Sequence, residues 1–223
     1  MKYDLKALLK SSEASLTQIV DILNTAPSLM LQSLESSNTA IIIVDMVNGF
    51  VKEGPMSSPR IQTIIPAIRE LMTQAKEKKL PMLAFADSHN ESSIEFAAYP
   101  PHCLVGTSES EIVDELKEVG GYELVLKGST NGFLEPAFHN WLKEHPTIEQ
   151  FIVVGDCTDI CVEQFVLTLK TYFTTLNRPS RIIVPINSVE TYDLGVHAGD
   201  FMNVMALYKM HMNGNEIVRE ITN

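Results

Sequence analysis

The chain has 223 residues, 45% of them hydrophobic and 20% charged, and its 28 acidic against 17 basic side chains give a formal charge of −11. Such a surface repels phosphate backbones and anionic lipid, which makes nucleic acid and membrane poor partners. The length suits one domain able to fold on its hydrophobic core without disulfides or a structural metal.

Residues 1 to about 36 read as helical. Leu5, Leu8 and Leu9 share one face, as do Ile19, Ile22 and Leu23 after the Ser/Thr-rich stretch at 11–17. This segment predicts a helical extension, residues 1–37, lying on a domain of residues 38–223. The opening stretch MKYDLKALLKSSEASL has no continuous apolar core of the signal-peptide kind. The longest apolar runs fall well short of the roughly 20 residues needed to span a bilayer.

From Thr39 onward a rhythm sets in. Runs rich in Ile, Val and Phe occur at Thr39–Val44, Pro81–Ala86, Tyr122–Leu126, Phe151–Val154 and Arg181–Ile186, with a weaker sixth at Val204–Met210. Near-continuous apolar runs suit strands buried on both faces, as in a parallel sheet. Between them, Ile61, Ile64, Ile65, Ile68, Leu71 and Met72 fall on one helical face, and Val162, Phe165, Val166, Leu169, Tyr172, Phe173 and Leu176 repeat the pattern. Shorter helices are predicted over Glu109–Val119 and Leu134–Lys143. Alternating strand and helix predict an α/β fold of right-handed βαβ units, an open doubly wound sheet in three α/β/α layers. The cysteines Cys103, Cys157 and Cys161 are odd in number and suggest no disulfide framework, so a reducing, cytoplasmic setting is expected.

In such a sheet, ligands bind beyond the carboxyl ends of the strands. The polar residues that follow the apolar runs are Asp45, Asp87, Lys127 and the stretch Asp156 to Cys161. Any one of these is an ordinary cap or loop residue. Together they deliver two carboxylates, an ammonium and a thiol to one rim. Thr158 or Asp159 is a good N-cap, which places Cys161 in a first helical turn, where free backbone N–H groups and the helix dipole favour a thiolate and can hold an oxyanion. Asp45 is the candidate proton acceptor, and Lys127 the cation that holds it. Cys157 reads as a small side chain at the turn.

A second constellation lies in Asp87-Ser88-His89 and Tyr99-Pro100-Pro101-His102-Cys103. Carboxylate and imidazole suit zinc, iron or manganese. An extended D-x-H pair points both side chains the same way, and His102 folds back to complete three ligands, with Glu91 and Glu95 as further carboxylates between. His139, His145, His197 and His211 show no partner pattern.

These segments, AIIIVDMVNGF, LVLKGSTNGF and VVGDCTDICV, resemble the three catalytic segments of the isochorismatase-like cysteine hydrolases. The resemblance runs from about residue 38 to 210. It implies a catalytic triad of Asp45, Lys127 and Cys161, an oxyanion hole from the Cys157 and Cys161 amides, and a non-proline cis peptide at Asp156–Cys157. It also implies a six-stranded parallel sheet in the order 3-2-1-4-5-6. The pattern at Gly155–Val162 and the stretch Tyr99–Thr107 are similar to the nicotinamidase branch. That likeness implies a divalent metal, zinc before iron or manganese, on Asp87, His89 and His102 with Glu95 as a fourth ligand. Phe50 and Tyr99 fall where the family places aromatic rings against the substrate.

The chain also departs from the pattern. Ser88 replaces an aromatic between two metal ligands, Gly49 an aspartate, and Asp156-Cys157 a small apolar pair. The implied activity is hydrolysis of nicotinamide, a small amide, through a cysteine thioester, by a homo-oligomer. Other readings are a metal-independent relative acting on another amide, carbamoyl or ureido compound, a non-catalytic oligomeric binding protein, and a redox thiol protein using Cys157 and Cys161.

Overall fold

A computed structural model describes residues 2–223, so the expected helical start at Met1 lies outside the described residues. The central strands are β1 (Thr39–Val44), β2 (Met82–Asp87), β3 (Glu123–Lys127), β4 (Gln150–Asp156), β5 (Arg181–Pro185) and β6 (Glu216–Val218), all parallel, in the order 3-2-1-4-5-6. A two-residue strand, Val189–Glu190, also pairs with β4 and makes a seventh member of the sheet.

The longer helices are α1 (Leu5–Asn24), α2 (Ile65–Glu77), α3 (Asp114–Val119), α4 (Pro136–Glu144), α5 (Glu163–Thr175) and α6 (Gly199–Met212). Side chains alternate across β1: Ile41 and Ile43 join one apolar core with Ile68, Leu71 and Met72 of α2 and Leu116 of α3. Ala40, Ile42 and Val44 join the other, with Phe138 of α4, Phe165 and Val166 of α5, and Leu207 of α6. All six β1 residues are buried, as expected of a strand covered on both faces.

Four expectations change in detail. Of the helix expected over Glu109–Val119 only Asp114–Val119 forms, after a separate 3-10 turn at Ser108–Ser110. The apolar face from Ile61 to Met72 does not form one helix: a short turn, Pro59–Gln62, precedes α2. Pro66 is the reason, because a proline lacks the N–H that an interior position needs and is accommodated in a first turn. The sixth strand is Glu216–Val218, while Val204–Met210 lies inside α6. The buried residues there, Ala206, Leu207 and Met210, have helical spacing. The first 37 residues are α-helical only to Asn24; Leu29–Met30 then forms a parallel strand pair with Ile221–Thr222, and a single 3-10 turn, Leu31–Ser33, follows.

Helix α1 starts at Asp4, whose carboxylate accepts from the Lys6 and Ala7 amides. It packs Ile19 and Leu23 into the second core, while Leu5, Leu8 and Leu9 are exposed. No helix among the described residues is long and apolar enough to cross a membrane.

Candidate active site

Asp87 and Lys127 are register partners on β2 and β3, so both leave the sheet on the same side. Lys127 Nζ stands 2.7 Å from Asp87 Oδ1. The same ammonium reaches over β2 to Asp45 Oδ2, at 2.9 Å, where the chain leaves β1. Asp45 has φ 54°, a left-handed conformation costing a non-glycine residue about 1–2 kcal/mol. All three side chains are at most 1% exposed.

Their electrostatics differ for physical reasons. Burial pushes the Asp45 carboxyl up to about 6 against the pull of Lys127, and neither of its oxygens receives a well-aligned hydrogen bond. Burial also acts on Asp87, but Lys127 and the two imidazoles beside it outweigh it and hold this group well below the usual carboxylate range. Lys127 remains an ammonium: desolvation works against its charge, and the Asp45 and Asp87 carboxylates more than offset it.

The Asp156–Cys157 peptide at the end of β4 is cis. The chain then forms a π turn, Thr158–Val162, before α5. Ile160 and Val162 N–H groups both donate to the Cys157 carbonyl, each at 3.1 Å. The expected cap is not made. Thr158 Oγ1 has no partner, and the Asp159 carboxylate turns to Thr191 Oγ1 (2.7 Å) and His197 Nε2 (2.9 Å). A wider turn of this kind is frequent at functional sites.

The turn leaves Cys161 beside the Asp45 carboxyl and 7% exposed. Burial pushes the Cys161 thiol well above its ordinary range, with Lys127 opposing and Asp45 adding to the rise. Desolvation thus works against the thiolate that a helix start favours. Asp45 is the carboxyl group beside this thiol.

Asp87 also faces the second constellation. Its Oδ2 lies 2.9 Å from His89 Nε2 and 3.0 Å from His102 Nε2, and Glu95 Oε1 is 3.7 Å from His89 Nε2. The ligand atoms of Asp87, His89, Glu95 and His102 all fall within 4.8 Å of one another. Glu91 is exposed and outside this cluster. His102 Nδ1 donates to the Pro100 carbonyl at 2.8 Å. A neutral His102 then turns its Nε2 lone pair toward a carboxylate oxygen, an arrangement satisfied by a proton or a shared cation. Two imidazoles and two carboxylates so placed fit zinc, iron or manganese.

Members of both constellations line one pocket, whose wall includes Phe50, Tyr99, Asp87, His102, Cys157 and Cys161. The Phe50 ring centroid is 5.4 Å from that of His102, and Tyr99 packs edge-on to the same imidazole.

Tyr192 and Asp156 also line this pocket, and the sequence reading assigned neither a role. Tyr192 follows the Val189–Glu190 strand, so the strand-end rule, applied to this last short strand, would have reached it. His197, which showed no partner pattern, stacks on Tyr192 with centroids 4.0 Å apart and is held by Asp159. Gly49 also has a steric reason: a Cβ there would stand 2.6 Å from Cys103 Sγ and 3.0 Å from the Glu109 carbonyl oxygen.

The family described as "Isochorismatase domain" matches residues 39–171. Nicotinamidase 1 of Arabidopsis thaliana is 32% identical over 215 residues, covering 83% of this chain and 87% of that protein. A nicotinamidase of Acinetobacter baylyi is 27% identical over 166 residues, covering 60% of this chain and 75% of that protein. The solved pyrazinamidase of Pyrococcus horikoshii, in complex with zinc, superposes with a TM-score of 0.69 at 24% identity, over 82% of this chain and 99% of that one. At that identity the superposition speaks for the fold.

Proposed function

This chain belongs to the isochorismatase family and is a hydrolase acting on amides, and we propose that it cleaves nicotinamide to nicotinate and ammonia through a thioester on Cys161. The observation that carries the reading is one pocket lined by Cys161, which stands beside the buried Asp45–Lys127 pair, and by Asp87, Glu95 and His102 of the four-residue metal-type cluster.

Asp45 takes the Cys161 proton as sulfur attacks the carboxamide carbon. The oxygen of the tetrahedral intermediate becomes an oxyanion and accepts hydrogen bonds from the Cys157 and Cys161 backbone N–H groups. The carbon–nitrogen bond breaks as Asp45 returns the proton to the departing nitrogen, and ammonia leaves a thioester. Asp45 next takes a proton from water, whose oxygen adds to the thioester carbon; the carbon–sulfur bond breaks, and the proton goes back to sulfur. Lys127 stays charged and keeps Asp45 in place.

Phe50 and Tyr99 hold a flat ring, so the carboxamide meets Cys161 in one orientation. Such positioning alone lowers a barrier by several kcal/mol, about 7–11 at most. A divalent ion on Asp87, His89, His102 and Glu95 supplies, when bound, a Lewis-acidic anchor for the ring nitrogen.

The experiment is ammonia release from nicotinamide by the wild type beside Cys161→Ala. The expected result is loss of about a thousandfold or more in kcat with an unchanged melting temperature. Full activity in Cys161→Ala on every amide tried would refute the thioester route.

A further inference from the structure

The mechanism leaves one buried acid without a task. Asp156 ends β4, is 0% exposed, and lies in the pocket wall next to Cys157 and Cys161. Among the described residues, its carboxyl has one hydrogen-bond neighbour, the Cys157 thiol, which donates to Oδ1 across 3.8 Å. Oδ2 is buried with no partner. Buried polar atoms are almost always paired, so an orphaned carboxyl oxygen in the wall of a catalytic pocket points to a ligand group that pairs it.

The form of this carboxyl follows from its surroundings. Burial and the neighbouring Asp45 carboxylate push it well above the usual range, with Lys127 opposing. That one ammonium is already shared between Asp45 and Asp87. The unpaired Oδ2 is a hydrogen-bond acceptor, the complement of the N–H donors that a –C(=O)NH2 group presents. The next peptide N–H along the chain, that of Cys157, is one proposed to receive the carbonyl oxygen. The oxygen and nitrogen of the scissile group would thus meet adjacent residues.

We propose that Asp156 hydrogen-bonds the nitrogen of the scissile group, accepting one of its N–H protons, and thereby selects primary carboxamides over N-substituted ones. The inference rests on the amide-hydrolase reading and adds a specificity residue to it. The small apolar residue usual at this position in the resemblance cannot play this part.

The test compares kcat/KM on nicotinamide and on its N-methyl carboxamide for wild type, Asp156→Ala and Asp156→Asn. Loss of one buried hydrogen bond lowers the rate on the primary amide by roughly 10- to 100-fold in Asp156→Ala. The preference for the primary amide shrinks by about tenfold, because the N-methyl group, cis to the carbonyl oxygen, takes the place of the N–H that Asp156 accepts, so the substituted amide loses no hydrogen bond there and gains room. Asn, uncharged and of the same shape, keeps that preference.

Equal losses on both substrates in Asp156→Ala, or a preference left intact, would overturn the inference while leaving the amidase reading standing. Wild-type protein that releases ammonia from no primary amide would sink both together. If Asp156→Ala does not fold, Asp156→Leu, an apolar residue of similar size, takes its place with the same expectation.

Discussion

Asp87 faces Lys127 across the β2–β3 register with Oδ1 at 2.7 Å from Nζ, while its other oxygen lies within 3.0 Å of both His89 and His102. One carboxylate thus joins the cation of the thiol site to the imidazoles of the metal-type cluster. The two constellations, separate in the sequence, are electrostatically one site.

The pH dependence follows from Asp45. In the proposed mechanism it must be ionised to accept the thiol proton, and burial raises its carboxyl to about 6. kcat/KM therefore falls as pH drops through about 6, losing roughly tenfold per unit below it. A carboxylate at its ordinary pKa of about 4 would hold full activity down to about pH 5. A pH–rate profile with its acid limb near 4 would remove Asp45 as the base.

The metal cluster predicts about one divalent ion per chain, measurable by elemental analysis of purified protein. His102→Ala lowers the metal content and raises KM, because a substrate anchor is lost while the thiol site remains. Undiminished metal content in both His102→Ala and His89→Ala would place the ion elsewhere.

Arg60 ties down the segment that carries Tyr192. Its guanidinium donates to the Thr191 carbonyl at 3.2 Å, to Glu190 Oε1 at 3.1 Å and to Asp193 Oδ2 at 3.3 Å. Arg60→Ala frees this part of the pocket wall and is expected to raise KM by roughly three- to tenfold, with a smaller effect on kcat. These pairs are partly exposed, so the stability lost is at most about 1 kcal/mol. Steady-state kinetics separate the two parameters, and an unchanged KM would sever Arg60 from the pocket.

Gly49 is required by packing. Gly49→Ala drives a methyl group into Cys103 Sγ, and such overpacking costs about 1–3 kcal/mol. Thermal melting reads the loss, and adding Cys103→Ala restores part of it. A Gly49→Ala protein as stable as wild type would show that this contact yields freely.

Much of the fold was legible because burial on both faces leaves a simple mark. The runs of β1 and β4 are apolar at nearly every position, and the polar residues that follow them are those at the rim. Legibility failed where the local pattern is ambiguous. Val204–Met210 reads equally as a short strand or a helix turn, and the neighbours that cover it decide. Ile61 to Met72 keeps helical spacing across the break that Pro66 imposes. Asp159 reads as a cap, yet its carboxylate is claimed by Thr191 and His197, more than thirty residues away.

By itself the sequence determined which chemical groups stand at the strand ends, because side-chain periodicity and strand termini are local properties. It put Asp45, Asp87, Lys127 and Cys161 on one rim as candidate groups, with Asp87, His89 and His102 as candidate metal ligands. The tertiary structure alone decided that Asp87 serves both, since the β2–β3 register joins residues forty apart. It also decided that burial raises the Cys161 thiol and the Asp45 carboxyl, and that Asp156 faces the pocket with an unpaired oxygen. These are consequences of desolvation, which depends on everything packed around a group rather than on its neighbours in the chain.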